Sequence, residues 1–170
     1  NCVLSNSTCA VRIGVGIGEI HHINLSGIIL AKTGEGITLQ TDFRRIGSTH
    51  ITDVNVTGVI GDEVGSPIQI FADNNKIERV TFSDFRSNCM NKVYIEAKQD
   101  HISDLVFRNV DIYDKTADFP LPETADAERG ENVMIISGVK RLVLDSVRVF
   151  GNDDRRCNRK DEAVIFNSSD

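Results

Sequence analysis

The sequence predicts an all-β chain: a right-handed, single-stranded parallel β-helix, a solenoid of about five to six coils. Three observations carry this. One nine-residue apolar pattern recurs five times, a short alternating strand follows each copy, and no stretch sustains a helical 3.6-residue period over three turns. Length and composition agree. The 170 residues fit one domain, 1–170, and 40% hydrophobic with 26% charged residues is ordinary globular composition.

The pattern reads apolar, two polar, apolar, any, apolar, two polar or small, apolar. Its apolar positions are Ile20, Ile23, Leu25 and Ile28 in the first copy, then Ile51, Val54, Val56 and Val59. Ile77, Val80, Phe82 and Phe85 follow, then Ile102, Leu105, Phe107 and Val110, and last Val139, Leu142, Leu144 and Val147. The copies start 31, 26, 25 and 37 residues apart. The second strands are Ile37–Leu39, Ile68–Ile70, Val93–Ile95, Val133–Ile135 and Val164–Phe166, and Val11–Ile13 precedes the first copy. All six alternate with period two, the mark of a half-buried strand. One coil alone cannot bury its inward face, whereas coils stacked about 4.8 Å apart share a continuous core. Leucine-rich repeats and propeller blades fit worse, and the chain has no Asn-Gly or Asp-Gly hairpin turn.

Alignment of the copies makes statements about single residues. Cys2 falls in the column of Ile28, Val59, Phe85, Val110 and Val147 and is expected to point inward as a small hydrophobe. His22, Asp53, Arg79, Asp104 and Arg141 form an outward column in which acid and base alternate from Asp53 onward, read as a solvated charge ladder. Residues 114–132 and 150–162 break the period and are expected to be loop insertions beside a binding face. Cys89 and Cys157 fall in corresponding loops, which permits a disulfide between them if the longer loop folds back. Gly14, Gly16 and Gly18 read as a tight corner, since no helix follows them to hold phosphate. Both ends of a solenoid need covering, so upstream coils or another chain are expected at the N-terminal end, and the chain reads as a C-terminal piece of a longer protein.

Several function classes are excluded. A net charge of −6 argues against a nucleic-acid partner, and the apolar runs are too short for a membrane span of about 20 residues. No CxxC spacing, metal-ligand cluster, GxSxG motif or P-loop is present, so no metal and no cofactor is implied. Four Asn-x-Ser/Thr sequons, at Asn6, Asn24, Asn55 and Asn167, point to a secreted, extracellular protein.

The second-strand face is where a groove is expected. Its outward positions read Arg12, Gly14, Thr38, Gln40, Gln69, Phe71, Tyr94, Glu96, Met134 and Ile136. Amides and hydroxyls can bond sugar hydroxyls and Tyr94 can stack on a ring, so Arg12, Gln40, Gln69, Tyr94 and Glu96 are the substrate-binding candidates, with a polysaccharide as partner. The plain alternative is a solvated sheet face. Glycoside hydrolysis needs two carboxylates about 5–9.5 Å apart. Glu35, Asp42, Asp73, Glu96 and Glu131 lie near this face, spacing does not single out a pair, and Asp73 with Glu96, on neighbouring coils, is the candidate catalytic pair from geometry.

Residues 1–73 also resemble a known family. The stretch CAVRIGVGIGEIHHINLSGIILAKTGEGITLQT and the segment GSPIQIFAD are similar to the downstream half of polygalacturonase-like glycoside hydrolases of the pectin-lyase-like superfamily. The resemblance implies a secreted carbohydrate-active β-helix acting on or binding an acidic, pectin-like polysaccharide. Where that family has Gly-His-Gly this chain has Thr8-Cys9-Ala10, and where it has Arg-x-Lys this chain has Thr38-Leu39-Gln40. A second register sets Gly34-Glu35-Gly36 against Gly-His-Gly. The family's catalytic aspartates lie upstream of the matched region, so none is assigned, and this chain alone is expected to be inactive, with Arg12 left as the basic residue to grip a uronate. A non-catalytic polysaccharide-binding module and a trimeric tailspike or adhesin shaft, with Met134, Ile136, Ile165 and Ile29 on an apolar outer face, are the alternatives.

Overall fold

The spacing of the apolar residues carries straight into the architecture. The computed structural model of the chain describes residues 2–42, 48–98, 100–115, 133–151 and 164–167, the last as backbone alone. Among these residues there is no helix, and nine strands follow one another: β1 (Cys2–Ile13), β2 (Gly18–Gln40), β3 (Thr49–Ala72), β4 (Ile77–Cys89), β5 (Val93–Ala97), β6 (Ile102–Asp114), β7 (Met134–Ser137), β8 (Val139–Phe150) and β9 (Val164–Asn167). Every pairing is parallel and all nine belong to one sheet. The first part of β3 pairs with β4 and its last part with β5, so one long strand serves two successive neighbours.

The five copies lie in register. Ile20, Ile51, Ile77, Ile102 and Val139 form one row, and Ile28, Val59, Phe85, Val110 and Val147 another. The sequence reading expects separate short strands. Instead β2 and β3 run for 23 and 24 residues. The reason is a single left-handed residue at each corner. The third residue of every copy has positive φ: His22 59°, Asp53 56°, Arg79 55°, Asp104 55° and Arg141 60°. So does the eighth: Gly27 62°, Gly58 64°, Asp84 50°, Asn109 51° and Ser146 57°.

One such residue turns the chain and shifts its alternation by one. Side chains of an undisturbed strand alternate between faces. Across a left-handed residue two consecutive side chains point outward, and the next points in again. In β4 the buried residues are therefore Ile77, Val80, Phe82, Phe85, Ser87 and Cys89, spaced three, two, three, two and two apart. The "two polar" slots of the repeat are these corners. Asp and Asn tolerate the left-handed region better than most residues and glycine occupies it freely, which accounts for Asp53, Asp84, Asp104, Asn109, Gly27 and Gly58.

Inward side chains from the whole length of the long strands meet in one apolar core. Leu30, Ile37 and Leu39 of β2 are each fully buried in it, as are Val56, Ile68 and Ile70 of β3. Aromatic rings fill its centre: Phe82 stacks on Phe107 at 5.4 Å and meets Phe85 edge-on at 6.1 Å. Gly14, at φ 105°, lets the chain pass the carbonyl of Gln40; a Cβ there would lie 2.0 Å from that oxygen.

Several expectations need correcting. Cys2 occupies its expected register opposite Ile28, yet it is exposed, because among the described residues no further strand lies beyond β1 to cover it. Met134 and Ile136 are buried, and Ile135 takes the half-exposed position between them. The register sets Tyr94 against Ile135, so the alternation begins one residue later than the Val133–Ile135 reading assumes. Thr38 faces outward but is 1% exposed. The expected insertions also start too early, since β6 includes Asp114 and β8 includes Phe150. The remainder of both insertions, apart from Lys115 and Gly151, lies outside the described residues, as does Cys157 and with it the disulfide to Cys89. Cys89 itself is buried, with its thiol 3.7 Å from the Gly65 carbonyl.

The charge ladder splits into two bidentate pairs. Arg79 donates to both oxygens of Asp53 at 2.7 and 2.9 Å, and Arg141 grips Asp104 in the same way. Hydrogen bonds from Arg79 and then Thr52 hold the Asp53 carboxyl far below the usual carboxylate range, and those from Arg141 lower Asp104.

Two outcomes follow. Truncating Phe82→Ala removes a ring from between two others and should cost about 3–5 kcal/mol in chemical denaturation. Carboxyls lowered in the folded state contribute stability above their unfolded pKa of about 3.9 and lose it as pH falls. Asp53→Asn and Asp104→Asn should therefore lower the denaturation midpoint at neutral pH and converge on the parent protein as the pH drops below about 4. A constant difference from neutral to acid pH would show that neither carboxylate is held as described.

Candidate functional site

The second strands build a flat face in two outward rows. One row is Arg12, Thr38, Gln69, Tyr94 and Ile135; the other is Gln40, Phe71, Glu96 and Ser137. Neighbours within a row are one strand spacing apart, about 4.8 Å. Strand alternation alone puts them there, since Ile37, Leu39, Ile68, Ile70, Val93 and Ile95 between them are buried. Glu96 is exposed and the others, apart from Thr38, are half-buried.

The sequence-predicted binding residues thus share one face, but they divide into two clusters. At one end, Arg12 Nη2 lies 2.5 Å from Glu35 Oε2, and Thr38 Oγ1 donates to the same carboxylate oxygen at 3.1 Å. Cys9 Sγ is 3.8 Å from Thr38 Oγ1. Burial pulls the Arg12 pKa down, but a hydrogen bond to Cys9 and the charge of Glu35 outweigh it and leave the guanidinium above its ordinary value. The sequence sets Glu35 among the carboxylates near this face; what it does not show is the pairing with Arg12.

At the other end, the rings of Phe71 and Tyr94 lie 5.4 Å apart and tilted by 50°. Tyr94 donates its hydroxyl to Glu96 Oε2 at 3.0 Å, and Lys92 Nζ sits 5.6 Å from the Tyr94 ring centre. Burial, then the hydrogen bond and charge of Glu96, raise the Tyr94 phenol. Gln40 Nε2 reaches back to the Asp42 carbonyl at 3.3 Å. Between the clusters stands Gln69, opposite both Thr38 and Tyr94.

The two candidate catalytic carboxylates are diagonal neighbours on this face, because Glu96 stands opposite Phe71, two residues before Asp73. Each has its own partner: Asp73 pairs with Lys98 at 3.6 Å and Glu96 accepts from Tyr94.

A second feature lies on the adjoining face, which sequence reasoning did not reach. A cleft of about 310 Å³ opens beside the corner residues Gly58, Asp84 and Asn109 and is walled by Ile60, Arg86 and Asp111. Asn109 donates to Asp84 at 2.7 Å. Asp111 is buried between Arg148, at 2.6 and 3.0 Å, and Arg86, at 3.5 Å. The signal was present one position past the last apolar residue of each copy, where Ile60, Arg86, Asp111 and Arg148 line up with alternating charge. Among the described residues, no group of three or more His, Cys, Asp or Glu is placed to hold a metal ion, and no helix is long and apolar enough to cross a membrane.

No family model, curated protein or solved structure matches the chain.

The Tyr94–Glu96 contact gives a direct test. In a Tyr113→Phe background, phenolate absorbance should report Tyr94 titrating above the ordinary value of about 10. Glu96→Gln should lower it part of the way back, leaving the contribution of burial. No change on Glu96→Gln would mean that the hydrogen bond is absent in solution.

Proposed function

We propose that the chain is a right-handed parallel β-helix that binds an extended polysaccharide along its second-strand face, as part of a secreted carbohydrate-active protein. The parallel, in-register stacking and the single core support the solenoid reading. The observation that carries the function is the Phe71–Tyr94 pair, half-exposed on stacked strands and bordered by Gln40, Gln69 and Glu96. Aromatic faces take the apolar side of a sugar ring, and amides and carboxylates at its edge take hydroxyls. A row that delivers one side chain per strand spacing suits a polymer lying along the stack. The resemblance to polygalacturonase-like hydrolases makes a pectin-like acidic polymer the first candidate, with Arg12 the group to meet its carboxylate. Glu35 already occupies that guanidinium, so a uronate would have to displace it. The sequons support secretion: Asn24 and Asn55 are both exposed.

The exposed apolar row of Val3, Ile29 and Ile60, at 63%, 41% and 58%, favours a second reading in which the chain is part of a shaft and this row packs against other copies. A concentration-independent monomer in solution would remove that reading.

The binding reading is tested by calorimetric titration with oligogalacturonates and with neutral oligosaccharides. Tyr94→Ala should weaken binding at least tenfold, about 1.4 kcal/mol. Glu35→Gln, which removes the carboxylate competing for Arg12, should strengthen binding of the acidic oligomers and leave the neutral ones unchanged. Binding that ignores Tyr94 would refute the face assignment, and no binding of any oligomer would refute the reading itself.

A further inference from the structure

The first corner of the first complete copy carries two imidazoles, His21 and His22. In an undisturbed strand these neighbours would point to opposite faces and could not meet. The left-handed conformation of His22, φ 59°, puts both on the outer side. Their Nδ1 atoms lie 2.7 Å apart, and the rings stand perpendicular with centres 4.6 Å apart. Both side chains are exposed. The matching corners hold Thr52–Asp53, Glu78–Arg79, Ser103–Asp104 and Lys140–Arg141, so no other copy presents two imidazoles.

The separation is compatible with one coordination geometry more than with another. With metal–nitrogen bonds of about 2.0 Å, two ligands in cis positions at right angles stand about 2.8 Å apart, whereas two tetrahedral ligands stand about 3.3 Å apart. The observed 2.7 Å is the length of an N–H···N hydrogen bond in the metal-free pair, and it already brings the two nitrogens close to the cis spacing. We infer that His21 and His22 form a bidentate site for a tetragonal divalent metal ion, Cu(II) or Ni(II), with the two Nδ1 atoms in adjacent equatorial positions and water in the others.

Further features fit. Imidazole suits both metals, and tetragonal nitrogen–oxygen coordination is their preferred arrangement. In the neutral pair one Nδ1–H donates to the other Nδ1. Moving that proton to Nε2 of the same ring frees both lone pairs, so binding needs no net loss of a proton. The Asp53 carboxylate lies one strand away at the same corner, and both its oxygens are fixed by Arg79. It supplies negative charge beside the ion without being a ligand. Among the described residues no third His, Cys, Asp or Glu joins the pair, which leaves the remaining positions to water and makes the site reversible.

The test titrates Cu(II) and Ni(II) into the full chain carrying Cys2→Ser, so that the exposed thiol neither competes nor reduces copper. Expected are one Cu(II) per chain with electron paramagnetic resonance couplings to two nitrogens, and paramagnetic broadening centred on the imidazole signals of His21 and His22. His21→Gln and His22→Gln should each weaken binding roughly tenfold or more, while a His50→Gln, His101→Gln double variant should bind as the parent does. Ni(II) should be lost with the same two substitutions. Binding that survives either single substitution, broadening centred elsewhere, or coupling to fewer than two nitrogens would each overturn the proposal. Unchanged thermal melting of the Gln variants would establish that loss of metal is not loss of fold.

Discussion

The whole structure depends on one backbone constraint: a single residue in the left-handed region at each corner. Without it a strand of 24 residues such as β3 would run straight for about 80 Å and could enclose nothing. With it the chain bends, continues its ladder of hydrogen bonds, and brings an apolar side chain inward again after two outward ones. The cost is real, because non-glycine residues rarely adopt this conformation and each instance is worth of order 1–3 kcal/mol of strain. Arg79 and Arg141 carry that cost with no help from their side-chain type. What holds them is context: the ladder on both sides, and the bidentate grip on Asp53 and Asp104.

The same constraint decides what the surface can present. Every corner turns two adjacent residues to the outer side where a strand would turn one, although Thr52 and Ser103 are covered there. These slots stack, so the residue chosen in one copy meets the residue chosen in the next. Acid above base is favourable and acid above acid is not, which accounts for Asp53 beneath Arg79, Asp104 beneath Arg141, Asn109 on Asp84 and Arg108 on Asp145. Exposed pairs of this kind add little stability individually. Their value lies in register, since a one-residue slip would break every pair and turn the apolar rows outward together.

Much of this was legible because the repeat is a direct record of backbone geometry. The spacing three, two, three sets the rows of all five copies, and Ile51, Val56, Phe82 and Phe107 are buried where the alignment puts them; Leu144 joins the row of Phe107 but is 39% exposed, because among the described residues no strand lies beyond β8 to cover it. The failures have equally local causes. Met134 and Ile136 were set outward because the strand before them has no fixed start in sequence: Val133 looks like its first alternating residue, but the register with Val93 begins at Met134. Cys2 has the right row and the wrong burial, because periodicity reports direction and not what lies on the far side. Thr38 was read as a surface hydroxyl, and only contact with Glu35 and Cys9 reveals it as covered. The pairing of Glu35 with Arg12 crosses from a corner to a strand one copy away, and no spacing rule within a copy could have indicated it.

That pairing bears on how a repetitive surface acquires specificity. A flat sheet face built from stacked copies offers the same kind of contact at every level, which favours affinity for any extended polymer over discrimination between polymers. Discrimination needs a level that differs. Here the two ends of the face differ in kind. The Phe71–Tyr94 end offers ring surface and a carboxylate, with the Tyr94 hydroxyl already oriented by Glu96. The Arg12 end offers a cation only at the expense of its bond to Glu35. An anionic sugar must compete with a carboxylate held 2.5 Å from the guanidinium, and a neutral sugar gains nothing by trying. Under the proposed polysaccharide binding, the aromatic end would supply general attachment, while the Arg12–Glu35 pair would set a threshold that only a carboxylate of suitable position could pass. On that reading, removing the internal competitor would change the threshold without touching the aromatic end, so the two clusters would separate into one that sets affinity and one that sets charge preference.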